Sequence, residues 1–80
     1  QLVERDQLVE TAERIASTIA GLAPIATHRT KHMIRVAQNV PLETGLLVEN
    51  DSFAYLMMTE DAVEGQAAFA EKRAPQWKGR

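Results

Sequence analysis

Two histidines four residues apart are the first candidates for chemistry in this chain. His28 and His32 would share one face of a helix, a spacing that can present two imidazoles to zinc. A zinc site needs three or four ligands, and the glutamate of an H-E-x-x-H arrangement is missing. The neighbouring side chains are basic and would oppose a cation: Arg29, Lys31 and Arg35. The pattern therefore indicates a solvated basic helix face, and no metal site is predicted.

Carboxylates crowd a second short stretch, which contains Glu60, Asp61 and Glu64. Paired carboxylates can transfer protons when burial separates their pKa values. Acidic residues at the start of a helix also stabilise it, because they face the positive end of the helix dipole. The second interpretation is favoured here. Ser17 and Ser52 lack a glycine-flanked nucleophile turn, so no residue is predicted to be catalytic.

The end of the chain is basic. Its last nine residues contain Lys72, Arg73, Lys78 and Arg80 and no acidic residue. Such a cluster suits a phosphate-bearing ligand, although a solvated terminus has the same composition. The whole chain carries a net charge of -2, which argues against general nucleic-acid binding.

The elements that must position these residues are helices, and the sequence predicts an all-α fold of about four of them. The first has a broad apolar stripe that includes Leu8, Ala12, Ile15 and Ile19. Asp6 and Thr59 are expected to cap the first and fourth helices. Only residues 1–3 could form a stub of strand. The predicted helices cover 6–20, the stretch from Pro24 until Pro41, 42–58 and 60–72.

Size and composition suggest an incomplete body. The 80 residues are 45% hydrophobic but only 5% aromatic and contain no cysteine, so large core anchors are scarce and disulfides are excluded. No apolar stretch is long enough to span a membrane. Because the chain begins at Gln1 without a leader, we expect a C-terminal piece that buries apolar surface against another body.

The last 22 residues carry a specific resemblance. The run T-E-D-A-V-E-G-Q-A-A-F-A-E-K-R-A-P-Q-W-K-G-R closely resembles the C-terminal signature of the enoyl-CoA hydratase/isomerase (crotonase) family. That signature reads roughly T/S-x-D-x-x-E-G-x-x-A-F-x-E-K-R-x-P-x-F/W-x-G, and every fixed element is present. Upstream, a first helix ending I-A-x-x-x-P and Lys31 in the second helix also fit the family.

The resemblance implies that residues 1–80 form a C-terminal helical oligomerisation and lid module of a crotonase-like enzyme. The N-terminal catalytic domain of that family is absent here. Backbone N–H pairs of that domain stabilise a thioester enolate, and two glutamates activate the water in hydratases. Neither feature lies in this sequence, so the stretch alone should be inactive. The implied parent reaction is hydration of a 2-enoyl-CoA, with isomerisation as the runner-up. The alternative is a self-standing helical protein-interaction module without catalysis.

The resemblance also assigns residues to a binding site. Lys72 and Phe69 are expected to bind coenzyme A. In several members of the family, the corresponding lysine reaches the coenzyme that is bound to an adjacent subunit. Phe53 and Met57 match positions that border the acyl pocket. Plain core packing is the alternative for the three apolar residues. The implied substrate is a coenzyme A thioester, with no cofactor and no metal. The implied assembly is a cytoplasmic trimer or hexamer without nucleic-acid or membrane partners.

Overall fold

Four α-helices account for most of the chain in the computed structural model, which describes residues 1–80. A single 3-10 turn, Arg5–Gln7, precedes the first helix. The all-α prediction is confirmed, and residues 1–3, which were suggested as a stub of strand, form no strand in this structure. The helices are α1 (Leu8–Ala20), α2 (Pro24–Ala37), α3 (Leu42–Met57) and α4 (Glu60–Glu71).

Three of the four predicted helix starts are confirmed, those of α2, α3 and α4. Pro24 opens α2, where its missing N–H costs nothing. The hydroxyl of Thr59 accepts a hydrogen bond of 3.1 Å from the backbone N–H of Ala62 and so caps α4. The prediction for Asp6 is wrong. It lies within the 3-10 turn, and Gln7 precedes α1 without any side-chain hydrogen bond.

The second helix is shorter than predicted. It ends at Ala37, although the first proline beyond it is Pro41. The side-chain amide of Asn39 donates a 2.8 Å hydrogen bond to the carbonyl of Arg35, and its backbone N–H donates to Val36. Asparagine competes in this way with the helical hydrogen-bond ladder, so a turn replaces the last predicted residues of the helix.

Packing is concentrated between α2 and α3, and α3 then meets α4. Gly45 of α3 lies near the end of α2, where an added Cβ would stand 3.9 Å from the Cβ of Ala37. The helices therefore approach each other at this glycine, but an alanine would also fit. Helix α1 contacts mainly the 3-10 turn before it and extends away from the other three helices.

The chain has almost no interior of its own. Its radius of gyration is 15.7 Å, against about 12 Å for a compact domain of this length. Its accessible surface is 6819 Å², against about 4,800 Å² for a globular protein of this mass. Three of the 80 residues are buried, and Ala68 is the only hydrophobic one. The apolar stripe of α1 faces solvent.

None of the four helices has the length and apolar character that a bilayer crossing requires.

Candidate functional site

The chain after α4 folds back along that helix as an extended segment, residues 74–80, which we call the C-terminal strap. The buried carboxylate of Asp61, whose residue is 3% exposed, accepts two hydrogen bonds from the backbone of the strap. The backbone N–H of Lys78 donates to Oδ1 at 2.7 Å and that of Gly79 donates to Oδ2 at 2.9 Å. The N–H of Asp61 in turn donates to the carbonyl of Arg80 at 2.9 Å. A buried carboxylate is tolerated here because its oxygens are hydrogen-bonded.

A second carboxylate of α4 binds the beginning of the strap. The guanidinium of Arg73 donates to both oxygens of Glu64, at 2.6 and 3.0 Å, and the backbone N–H of Gln76 donates to the first of them at 2.7 Å. These bonds, the one from Arg73 first, lower the pKa of Glu64 to about 2. Arg73 also donates to Glu71 at 2.6 Å, and the two carboxylates raise its pKa above the usual arginine value.

The third carboxylate, Glu60, binds the cationic end of the strap. Its Oε2 lies 3.1 Å from Nε of Arg80 and 3.5 Å from Nζ of Lys78. The hydrogen bond from Arg80 and its charge lower the pKa of Glu60. The predicted role of these acidic residues was to stabilise the start of α4. The structure adds a role that the sequence did not reveal, since they also hold the strap.

Trp77 connects the strap to the first half of the chain. Its ring lies on the backbone of α4, where a Cβ added at Gly65 would stand only 3.3 Å from the ring. Its indole N–H donates a 2.9 Å hydrogen bond to the carbonyl of Gly21, the residue that ends α1. The strap therefore links α4 to the turn between α1 and α2, and sequence analysis missed this link.

Most fixed elements of the C-terminal signature thus maintain the local fold, whereas Phe69 and Lys72 do not. Phe69 is 88% exposed and packs in no core. Lys72 is exposed and forms no ion pair, although the other three cations of the basic terminus do. The elements with structural contacts are Thr59, Asp61, Glu64, Gly65, Ala68, Glu71, Arg73, Trp77 and Gly79.

Lys72 also has an unusual backbone. It ends α4 in the left-handed conformation, with φ 55° and ψ 40°, and is the only non-glycine residue with positive φ. Glycine is the common choice at this position, and a side chain there costs about 1 kcal/mol. The backbone N–H of Arg73 donates to the carbonyl of Ala68 at 3.0 Å and that of Lys72 donates to the carbonyl of Phe69 at 3.2 Å, so this conformation is part of the helix C-terminus. The ammonium group of Lys72 is exposed and unpaired, which leaves it available to a ligand.

An apolar groove of about 390 Å³ opens between α2, α3 and α4. Met57 and Phe69, two of the predicted site residues, lie in its wall together. Phe53 and Lys72 are not part of the wall, and Phe53 is 62% exposed on α3. Sequence analysis missed the rest of this groove; the main apolar wall residues, which define it here, are Ile25, Ala26, Leu56, Met57, Phe69 and Trp77.

No group of three or more histidine, aspartate or glutamate side chains lies close enough together to hold a metal ion. His28 and His32 remain a pair on α2 without a third ligand. Glu60, Asp61 and Glu64 face backbone N–H groups and cations of the strap. No arrangement in the chain joins a nucleophile to a base.

Comparisons with known proteins agree with this geometry. The sequence profile of the enoyl-CoA hydratase/isomerase family matches residues 1–80. The 2,3-dehydroadipyl-CoA hydratase of Escherichia coli K12 is 41% identical over 75 residues, covering 94% of this chain and 29% of that protein. The carnitinyl-CoA dehydratase of Salmonella typhi is 36% identical, covering 100% of this chain and 32% of that protein. The chain thus spans about a third of the length of the curated relatives it matches.

Solved structures give the same result for the fold. An enoyl-CoA hydratase from Bacillus anthracis superposes with a TM-score of 0.89 at 40% identity, covering 98% of this chain and 30% of that one. An enoyl-CoA hydratase/isomerase from Mycobacterium paratuberculosis superposes with a TM-score of 0.87, also at 40% identity. The open four-helix arrangement is therefore one that occurs within larger proteins.

Proposed function

The chain belongs to the enoyl-CoA hydratase/isomerase family, and we propose that it is the helical part of an enzyme that hydrates a 2-enoyl-CoA thioester. The relatives support this reaction, because their names describe a hydratase and a dehydratase of CoA compounds. Isomerisation of an enoyl-CoA is the second candidate, since the family description includes both reactions. The chemical step would be performed by residues outside these helices.

Within that enzyme, Lys72 binds a phosphate of coenzyme A, and Phe69 packs against the coenzyme beside it. The observation that carries this proposal is the exposed and unpaired ammonium group of Lys72. Phe69 lies one helical turn earlier, so both side chains project from the end of α4. An ammonium group is a suitable phosphate ligand, and an exposed aromatic ring offers apolar area to a nucleoside.

Met57 and Phe53 then contribute to the wall that covers the acyl chain. Met57 lies in the apolar groove, and Phe53, one turn earlier on α3, presents an exposed ring. Both would gain apolar contact when an acyl chain or a neighbouring subunit covers them.

The exposed apolar faces support a role in assembly. The stripe of α1 and the large excess of accessible surface are expected where helices pack on the catalytic part and on other subunits. We propose a trimer or hexamer formed partly by these helices.

The proposal is tested with Lys72→Ala in the intact protein. Loss of one charge-assisted contact costs about 1.5–3 kcal/mol, so KM for the CoA thioester should rise roughly tenfold to a hundredfold while kcat stays similar. The matching pantetheine thioester, which lacks the nucleotide, should be insensitive to the substitution. Lys78→Ala is the control, because Lys78 already pairs with Glu60. An unchanged KM for the CoA thioester at low salt would rule out the phosphate contact.

A further inference from the structure

A second groove, of about 520 Å³, lies where α2 faces α3, and we propose that it binds a small phosphate-bearing anion. We call it the basic groove. It shares only Ile25 with the apolar groove, and this proposal does not depend on the proposed enzymatic function. The residues that line it are Pro24, Ile25, His28, Arg29, His32 and Tyr55.

Arg29 is the centre of the basic groove. Its guanidinium carbon lies 4.2 Å from the centroid of the Tyr55 ring, in a cation–π contact between α2 and α3. The ring holds the guanidinium in place. Arg29 is half-buried, yet it forms no side-chain hydrogen bond and no ion pair. A pre-oriented guanidinium with free N–H donors is well suited to bind phosphate with two parallel hydrogen bonds.

The two histidines add donors beside Arg29. His28 and His32 are one helical turn apart and both line the basic groove. Neither imidazole has a hydrogen-bond or ion-pair partner within the chain, and the Tyr55 hydroxyl has none. The metal site suggested by their spacing lacks a third ligand. The same spacing next to a guanidinium is instead suitable for an anion with several oxygens.

No carboxylate lines the basic groove or forms an ion pair with its donors. Helix α2 contains two histidines, two arginines and one lysine, and it contains no acidic residue. All four ion pairs of the chain join α4 to the residues that follow it, so none involves α2. The lining of the groove therefore carries the positive charge of Arg29 and no negative charge, in a chain whose net charge is -2.

The dimensions favour a small ligand over a polymer. Lys31 and Arg35 share the helix but do not line the groove, so the cationic surface is short. Nucleic-acid binding depends on many phosphate contacts spread along a continuous basic surface. A phosphate monoester or a diphosphate needs only the guanidinium and one or two imidazoles, which are the groups that the basic groove provides.

The test is a calorimetric titration of the intact protein with inorganic pyrophosphate at low ionic strength. We expect saturable binding of about one pyrophosphate per chain and shifts of the His28 and His32 imidazole resonances. Arg29→Gln should weaken binding at least tenfold. Arg29→Lys keeps the charge but loses the planar donor pair, so it should weaken binding about fivefold. Lys31→Gln removes one charge from the same helix outside the groove, and it should change the affinity less than twofold.

Three results would overturn the proposal. They are the absence of saturable binding, equal losses for Arg29→Gln and Lys31→Gln, and tighter binding of a single-stranded oligonucleotide than of pyrophosphate. Circular dichroism of each variant confirms that it is folded. A competition with desulfo-coenzyme A distinguishes the sources of the anion. If desulfo-coenzyme A reverses the pyrophosphate-induced shifts of the histidine resonances, the groove binds the phosphates of the coenzyme. If the shifts persist, the groove binds a different phosphate compound.

Discussion

Arg73 binds Glu64, nine residues earlier in the chain, through two parallel hydrogen bonds of 2.6 and 3.0 Å. This contact lies at the point where the chain leaves α4 and turns back along it. Lys72 is the residue immediately before Arg73, and it ends α4 with a left-handed backbone. The contact therefore lies next to the ammonium group that we propose to bind the coenzyme.

The Glu64 contact makes the strap sensitive to acid. The pKa of Glu64 is about 2 in the folded chain, below its ordinary value of 4.5. Because the folded-state pKa is lowered, the stabilisation is complete above the ordinary value and is lost as pH falls through about 2. Hydrogen exchange of the Gln76 amide, corrected for intrinsic rates, should therefore accelerate between pH 4.5 and 2.

The control for this prediction is Glu71→Gln. Glu71 binds Arg73 through one exposed contact and does not receive the Gln76 N–H. Its loss should leave the protection of Gln76 nearly unchanged at neutral pH, whereas Glu64→Gln should reduce it there. Equal protection of Gln76 in these two variants would show that Glu64 does not hold the strap.

Asp61→Asn should destabilise the intact protein by about 1–3 kcal/mol, because an amide nitrogen would face a backbone N–H in a buried site. Asp61 accepts hydrogen bonds from Lys78 and Gly79 and is 3% exposed. Urea unfolding measures the change. Glu60→Gln, which alters an exposed carboxylate of the same turn, serves as the comparison. If the Asp61→Asn protein is as stable as the Glu60→Gln protein, the hydrogen bonds of Asp61 do not stabilise the strap.

Two helical glycines should respond differently to alanine. Gly45→Ala adds a Cβ at 3.9 Å from its neighbour, so the gain in helix propensity of about 1 kcal/mol should appear in full. Gly65→Ala adds a Cβ at 3.3 Å from Trp77, whose indole is held by the carbonyl of Gly21. Its gain should be smaller or reversed, with a change in tryptophan fluorescence. Equal gains in urea unfolding would mean that Trp77 moves freely.

Lys72→Gly should separate stability from function. Glycine relieves the left-handed backbone at φ 55°, so the intact protein should become more stable by about 1 kcal/mol. Lys72→Ala retains the strained conformation and should show no such gain. Thermal unfolding distinguishes the two variants. The account also predicts that both raise KM for a CoA thioester. A stabilised Lys72→Gly protein with an unchanged KM would indicate that the lysine has no ligand.

The helices were predictable because their signals are local. Pro24 and Thr59 begin helices for reasons that lie within one turn of sequence. The end of α2 was missed because the side chain of Asn39 forms its own hydrogen bond with the helix. The start of α1 was missed because a 3-10 turn includes Asp6.

The site was only partly predictable, because its contacts join residues far apart in the chain. The acidic residues of α4 have an evident local role at a helix start, which concealed the hydrogen bonds that Asp61 accepts from the backbone of residues 78 and 79. The link from Trp77 to Gly21 spans 56 residues and has no local signal. The resemblance selected Lys72 and Phe69, and both side chains are exposed in the structure.

The most direct measurement is a crystal structure of the intact protein with a non-reactive acyl-CoA analogue. We expect Nζ of Lys72 to lie about 2.8 Å from a phosphate oxygen of the coenzyme, with the Phe69 ring against its nucleoside. A bound coenzyme whose phosphates contact other residues, with Lys72 directed into solvent, would rule out the proposed phosphate contact.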